Sequence, residues 1–221
     1  MKSNKVILFD WGGVIEHAPQ SDKRVFSYQD LYTEALVTIF PQLTGIPYTK
    51  IFAEFYKGSW ENVIVGYDRY LQFISERLRI CNLDAEQAQL FMDTVMSISD
   101  KVSFNQEVVN YIYSLRSQCT VGILSDLCVI DVPRIKAQIK QNKVDKYYLS
   151  CEIAKSKHHN TIFDFVQKDL GVSPYNILFF DDKGDNVDKA KANGWNAERV
   201  TAFDLPYIME VCNDFLGDEF E

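Results

Sequence analysis

The sequence lacks any apolar run long enough to cross a membrane. A transmembrane helix needs roughly 18 or more consecutive apolar residues, and polar or charged residues interrupt every apolar run of this chain well before that length. The first run, residues 6–9, is also too short for the apolar core of a secretory signal, because Asp10 ends it. We therefore expect a cytoplasmic protein without a membrane partner.

Cysteine is scarce and irregularly placed. The five cysteines are odd in number, and no two of them have the C-x-x-C spacing that is typical of zinc and redox sites. This pattern favours neither a disulfide framework nor a zinc site, so we expect reduced thiols in the core. They are Cys81, Cys119, Cys128, Cys151 and Cys212.

The chain also has no excess of positive charge and no internal repeat. Its 31 acidic residues outnumber its 23 basic ones and give a formal net charge of -8. A nucleic-acid backbone repels such a protein, so we expect no nucleic-acid partner. With 47% hydrophobic residues over 221 positions, the chain can bury the core of one large domain, or of one domain with a small insert. No feature of the sequence indicates an oligomeric state.

Four short apolar runs are present, and each is followed by a polar or turn residue. Their apolar character is continuous rather than alternating, which is typical of strands buried on both faces of a parallel sheet. The runs are residues 6–9, 121–124, 147–149 and 177–180.

Helical patterns separate the later runs. One begins near Asn105, a favourable N-cap residue. A second covers residues 161–170 and stops at Gly171, and a third follows Gly184 and ends near Asn193. Alternating strands and helices predict an α/β fold with a doubly wound, parallel, Rossmann-like sheet.

The long interval between the first two runs has a different pattern. It contains no convincing strand and several amphipathic helical segments, one of which opens at Asp84 and Gln87 like a capping box. We predict that residues 1–16 and 103–221 form the α/β core and that residues 17–102 form an inserted all-helical cap. Such an insert would lie over the carboxyl ends of the strands, where ligands bind in these folds.

Polar residues concentrate where the predicted strands end. Asp10 follows the first strand, Ser125 follows the second, and Asp181 and Asp182 follow the fourth. Three carboxylates at one sheet edge repel each other unless a divalent cation neutralises them, and oxygen ligands suit Mg²⁺. The Ser125 hydroxyl and the Lys157 ammonium could hold the oxygens of a phosphoryl group beside this metal.

Three motifs resemble those of the haloacid dehalogenase (HAD)-like hydrolases. They are FDWGGVI at residues 9–15, ILSD at residues 123–126 and FFDDKGDNV at residues 179–187. Lys157 stands in the place of the family's lysine, although His158 replaces the usual proline, and Lys155 on the same loop competes for the role. The helical insert resembles the family's cap.

The resemblance implies a role for each of these residues. Asp10 would attack phosphorus and form an aspartyl-phosphate, which water then cleaves. Asp10 and Asp182 would bind Mg²⁺ directly, while Asp181 would either bind it through water or orient Lys157. Ser125 and Lys157 would hold the phosphoryl group as catalytic and substrate-binding residues.

Three further residues are predicted to support the site. Asn186 would brace the loop of the third motif. Asp126 would either cap the helix that follows or lie beside the substrate. Trp11 would either pack in the core or form the floor of the substrate pocket.

Gly12 departs from the family pattern. Typical family phosphatases have at this position a second aspartate that protonates the leaving oxygen. The carbonyl of Gly12 could still bind the metal, but losing an acid/base group typically costs roughly 10²–10⁴ in rate. We hypothesise that Glu16 or His17 supplies a substitute acid/base.

We therefore predict a Mg²⁺-dependent phosphatase that acts on a small phosphorylated metabolite, such as a sugar phosphate or a nucleotide, selected by the cap. Gly12 leaves open a catalytically weak or inactive protein that binds metal and phosphate. A haloacid dehalogenase is a second alternative, although that branch needs no Mg²⁺ and would make poor use of Asp181 and Asp182.

Overall fold

The computed structural model describes residues 3–16, 40–47, 49, 66, 76, 79, 82–99, 102, 104–139, 143–201 and 204–217. The strands are β1 (Val6–Phe9), β2 (Thr120–Ser125), β3 (Lys146–Leu149), β4 (Ile177–Asp181) and β5 (Asn196–Arg199). The helices are α1 (Phe40–Thr44), α2 (Ala85–Ser99), α3 (Gln106–Leu115), α4 (Val132–Gln138), α5 (Ser150–Ile153), α6 (Thr161–Leu170), α7 (Gly184–Ala192) and α8 (Leu205–Gly217). Two 3₁₀ turns lie at Val129–Asp131 and Pro174–Asn176.

The strands form one parallel sheet in the order β3-β2-β1-β4-β5. This order confirms the predicted doubly wound α/β core. All four predicted strands are present. The edge strand β5 was not predicted, because its sequence, Asn-Ala-Glu-Arg, has only one apolar residue. This residue, Ala197, is buried in the hydrophobic cluster that contains Val6 and Leu8.

Side chains of β1 alternate between two hydrophobic clusters. Ile7 and Phe9 pack with residues of α3, α4 and α8 on one face. Val6 and Leu8 pack with α6, α7 and Trp195 on the other face. Helices on both faces explain why the sequence of β1 is apolar throughout.

The predicted helix boundaries follow from local chemistry. The Asn105 carboxamide oxygen accepts hydrogen bonds from the amides of Glu107 and Val108, at 2.9 and 3.3 Å, and so caps α3. Gly171 ends α6 with a φ of +64°, a left-handed conformation that glycine adopts without strain.

Most of the predicted cap lies outside the described residues, and its boundaries stay a prediction. In the described part, Asp84 and Gln87 exchange amide-to-side-chain hydrogen bonds of 2.8 and 3.2 Å at the start of α2. This is the predicted capping box. The segments that flank the insert are adjacent, since the Asn105 amide donates to the Ile15 carbonyl at 2.8 Å. Of the helices that the structure describes, none combines the length and the apolar character needed to cross a bilayer.

Candidate functional site

Parallel pairing brings the acidic residues together. Phe9 lies opposite Phe180 in the register of β1 and β4, and the Asp10 amide donates to the Phe180 carbonyl at 2.8 Å. Asp10 and the Asp181–Asp182 pair therefore leave the sheet side by side. One carboxylate oxygen from each of the three residues lies within 4.8 Å of the other two.

The Asp10 carboxylate is held by three donors. Its Oδ1 accepts hydrogen bonds from the Ser125 hydroxyl at 2.6 Å and from the Trp11 amide at 2.7 Å. Its Oδ2 lies 2.9 Å from the Lys157 ammonium. Asp10 is 6% exposed, so its orientation is fixed inside the protein.

Lys157 is the lysine that reaches the carboxylates. Its ammonium lies between Asp10 and Asp181, with a distance of 2.7 Å to Asp181 Oδ2, and the residue is buried. The Lys155 ammonium instead lies 5.7 Å from the centre of the Phe165 ring. Of the two lysines, Lys157 thus contacts Asp10 and Asp181, and its role in a reaction stays a prediction.

Asp181 is surrounded by donors. Its Oδ1 accepts the Lys183 amide at 2.8 Å, and both its oxygens accept from the Asn186 side chain at 3.0 Å. Together with Lys157, these contacts engage both carboxylate oxygens. Asn186 thus contacts the aspartate that begins this loop, and Asp181 contacts the lysine. The predicted roles of both residues stay predictions.

Asp182 has the opposite environment. Its Oδ1 is buried and accepts no hydrogen bond from any residue that the structure describes. Such an unsatisfied buried acceptor is costly and needs an explanation. A cation beside Oδ1 supplies one, and an oxygen-only set of Asp10 and Asp182 matches the ligand preference of Mg²⁺. The residues present therefore fit a metal ion.

The glycines after β1 shape the space around Asp182. Gly13 has a φ of +78°, and a Cβ there would lie 2.6 Å from the Asp182 carboxyl carbon. The segment after β1 can approach Asp182 this closely only because residue 13 has no side chain. A Cβ on Gly12, by contrast, would meet no atom within 4 Å.

Burial, and then crowded negative charge, changes the proton affinities of the site. Burial raises the pKa of Asp10 to about 7; Lys157 opposes this rise, and Asp181 and Asp182 add to it. Burial and then Asp181 also raise the pKa of Asp182. Burial alone would lower the pKa of Lys157, but Asp10 and Asp181 raise it, so the lysine stays charged. The Lys157 ammonium by itself does not balance three carboxylates, and a divalent cation would add positive charge to the cluster.

Glu16 does not have the environment of an acid/base group. Its Oε2 accepts from the Trp11 indole N–H at 2.8 Å and forms a 2.9 Å ion pair with Arg134. This carboxylate oxygen is therefore engaged by two donors of the protein itself. The contacts thus argue against the Glu16 hypothesis, and His17 lies outside the described residues.

Trp11 and Asp126 each had two predicted positions, and the structure shows what each side chain contacts. The Trp11 ring belongs to the hydrophobic cluster of Ile7 and Phe9, so it packs in the core. Asp126 does not cap a helix, because both its carboxylate oxygens accept the Lys157 amide, at 3.0 and 3.1 Å. The predicted contact of Asp126 with substrate stays a prediction.

Two cationic residues near the site were not predicted. Arg134 on α4 pairs with Glu16, and the Lys189 ammonium on α7 donates to the carbonyls of Lys157 and His158. Neither residue belongs to a motif, and a basic residue on a helix is usually solvated. The sequence therefore carries no signal for either contact.

Comparison with known proteins supports the fold. No protein-family model matches the sequence, and no curated protein does. The chain is similar to a HAD family enzyme of Bacteroides thetaiotaomicron, with 17% identity and a TM-score of 0.66 over 93% of this chain and 98% of that one. A structure of the same enzyme with magnesium and inorganic phosphate matches with 17% identity and a TM-score of 0.62, over 90% and 96% of the two chains.

Two further solved structures are similar. A predicted HAD-like family hydrolase of Porphyromonas gingivalis has 21% identity and a TM-score of 0.63, over 94% of this chain and 97% of that one. The L-2-haloacid dehalogenase of Xanthobacter autotrophicus has 17% identity and a TM-score of 0.58, over 89% and 77%. The chain thus has the fold of the HAD-like enzymes.

Proposed function

We propose that this chain, which has the HAD-like fold, is a Mg²⁺-dependent phosphatase of that superfamily that hydrolyses a small phosphorylated metabolite through an aspartyl-phosphate on Asp10. The unpaired, buried Oδ1 of Asp182 carries the proposal. This oxygen belongs to a cluster of three carboxylates, which the Lys157 ammonium contacts. The similar enzyme of B. thetaiotaomicron, solved with magnesium and inorganic phosphate, supports the same ligands here.

The proposed metal ligands are Asp10, Asp182 and the Gly12 carbonyl. Asp181 is assigned to Lys157 instead, because donors already engage both its oxygens. When bound, Mg²⁺ would withdraw electron density from the phosphoryl oxygens and offset their charge.

The reaction then requires two displacements at phosphorus. A carboxylate oxygen of Asp10 attacks phosphorus, the bond to the ester oxygen breaks, and the alcohol leaves after taking a proton from water. A water molecule next attacks phosphorus, and the bond to Asp10 breaks, which regenerates the carboxylate and releases inorganic phosphate. Ser125 and Lys157, which donate to Asp10 in the structure, would donate to the phosphoryl oxygens and stabilise their charge.

Gly12 favours a second candidate function, a catalytically weak or inactive protein that binds metal and phosphate. Glycine has no proton to give the leaving oxygen, and the nearby Glu16 is paired with Arg134. Slow turnover of esters with poor leaving groups is therefore expected. Esters with good leaving groups need less assistance from an acid.

A substrate panel tests the proposal. Purified protein is assayed with Mg²⁺ on p-nitrophenyl phosphate, sugar phosphates and nucleotides, with Asp10→Asn and EDTA as controls. We expect turnover of p-nitrophenyl phosphate that both controls abolish. Phosphate binding without turnover above Asp10→Asn would favour the binding protein. Chloride release from 2-chloropropionate without Mg²⁺ would instead favour a dehalogenase, the activity named for the similar X. autotrophicus enzyme.

A further inference from the structure

Lys157 is held by its backbone as well as by its ammonium group. The residue lies in the loop between α5 and α6 and has a buried side chain that reaches Asp10 and Asp181. Two charged side chains from other elements contact the peptide groups on either side of its Cα. These side chains belong to Asp126 and Lys189.

Asp126 holds the amide side of the lysine. This residue directly follows β2, and both its carboxylate oxygens lie within 3.1 Å of the Lys157 nitrogen. A hydrogen bond to an ionised acceptor is about twice as strong as one between neutral groups. The amide of Lys157 is thereby tied to the end of the strand that supplies Ser125.

Lys189 holds the carbonyl side. Its ammonium donates to the Lys157 carbonyl at 3.2 Å and to the His158 carbonyl at 3.0 Å. Four residues further along the chain, the Asn193 side chain donates to the Asn160 side chain at 3.1 Å. Helix α7 and the residues just after it thus fasten this loop at two points.

A lysine needs a fixed backbone if its ammonium is to be placed accurately, because its side chain has four methylene groups joined by rotatable bonds. Fixing the ammonium costs the side chain its rotamer freedom, and a displacement of about 1 Å in an active site can cost about a hundredfold in rate. When the backbone of the loop is fixed, only the side chain of Lys157 has to be ordered for the ammonium to lie between Asp10 and Asp181.

We propose that Asp126 and Lys189 are positioning residues that act on the reaction through Lys157. This inference rests on the proposed phosphatase function. Neither residue touches the reacting atoms, so each should affect the rate only while Lys157 has its ammonium group.

A double-mutant cycle tests this dependence with p-nitrophenyl phosphate and Mg²⁺. We expect Lys189→Met to lower kcat about tenfold, while half-saturation by Mg²⁺ is unchanged because the carboxylates are intact. Lys189→Arg should restore most of the rate. In a Lys157→Met background, Lys189→Met should have no further effect.

The matched control is Lys191→Met. Lys191 is on the same helix, has a half-exposed side chain, and its ammonium lies 3.7 Å from the Glu198 carboxylate. Its kcat should stay within about twofold of wild type, as expected for a surface substitution. At the other contact, Asp126→Ala should lower kcat, and Asp126→Asn, which keeps one acceptor oxygen, should retain more activity.

Hydrogen exchange of residues 155–160 reports on the loop without any turnover. Exchange should be faster in Lys189→Met and Asp126→Ala than in wild type and Lys191→Met. Unchanged exchange, or an equal loss of kcat with and without the Lys157 ammonium, would overturn the inference. If wild type hydrolyses no phosphate ester, the proposed function fails, and the exchange measurement alone decides whether these residues hold the loop.

Discussion

Adjacent aspartates have different environments in this protein. Asp181 accepts hydrogen bonds on both oxygens and contacts Lys157, whereas the buried Oδ1 of Asp182 accepts none from the described residues. Successive residues at the end of a strand point in different directions, so two identical residues have different surroundings.

Substitution of each aspartate should separate these roles. Asp182→Asn should raise the Mg²⁺ concentration for half-maximal activity by about tenfold or more, because a direct ligand loses its charge. Asp181→Asn should mainly lower kcat, because it weakens the contact that orients Lys157. Mg²⁺ titrations of activity measure both. Equal shifts in half-saturation for the two variants would contradict this division.

The structure leaves space for a side chain at Gly12. A Cβ at this position would meet no atom within 4 Å, and the backbone φ is not in the left-handed region. The Cβ of an aspartate can therefore be placed there without a clash. Since a positioned acid typically contributes roughly 10²–10⁴ in rate, Gly12→Asp should raise kcat at least about tenfold on esters with poor leaving groups.

Gly12→Asn is the matched control for this substitution. It has nearly the same size as aspartate but no acidic proton, so its kcat should stay near that of wild type. A similar gain in both variants would indicate a packing effect rather than acid catalysis.

At the scale of elements, a buried ion-pair group joins the segment after β1 to α4. Arg134 on α4 contacts Glu16 at 2.9 Å and Asp131 at 3.3 Å, and all three side chains are at most 11% exposed. Burial raises the pKa of Asp131 to about 6; Arg134 opposes this rise and Glu16 adds to it.

Removal of the shared cation should destabilise the fold. Arg134→Met leaves two buried carboxylates without their partner, a change that typically costs about 3 kcal/mol in the free energy of unfolding. Lys136→Met on the same helix is the control. It breaks a more exposed pair with Glu152, which should cost less than about 1 kcal/mol. Urea denaturation of both variants measures the difference.

The same group predicts a pH dependence of stability. The folded-state pKa of Asp131, about 6, lies above its ordinary value of 3.8, so the folded protein binds this proton more tightly than the unfolded chain does. Its contribution to stability is therefore present below about pH 4 and is lost as the pH rises to about 6. Asp131→Asn should remove this component from the pH profile of the unfolding free energy. An unchanged profile would show that Asp131 does not carry it.

At the scale of the whole molecule, the site joins distant parts of the chain. Asp10, Ser125, Lys157 and Asp182 come from four separate segments, which meet only when the sheet is complete. An ion bound between Asp10 and Asp182 should therefore stabilise the native state and not the unfolded chain.

Mg²⁺ should accordingly raise the melting temperature. At a concentration about 100 times its Kd, an ion that binds only the native state contributes about 2.7 kcal/mol. Thermal unfolding with increasing Mg²⁺ should show a rising Tm in wild type and a much smaller rise in Asp182→Asn. An equal rise in both would place the ion elsewhere.

The sequence by itself determined the α/β core and the carboxylate cluster. Continuous apolar runs require burial on both faces, and parallel strands end at one edge, so Asp10, Ser125 and the two aspartates had to meet there. The helix ends at Asn105 and Gly171 could also be predicted from the sequence, because they depend on neighbouring residues alone.

The tertiary structure decided the contacts that depend on distant partners. Strand β5 is an edge strand with little apolar sequence, and helix α8 was not predicted from its own residues. The partners of Asp126, Glu16 and Lys189 lie 31, 118 and 32 residues away. The sequence around a polar side chain has no periodic pattern that identifies its distant partner. These contacts therefore form only when the folded chain brings the groups together.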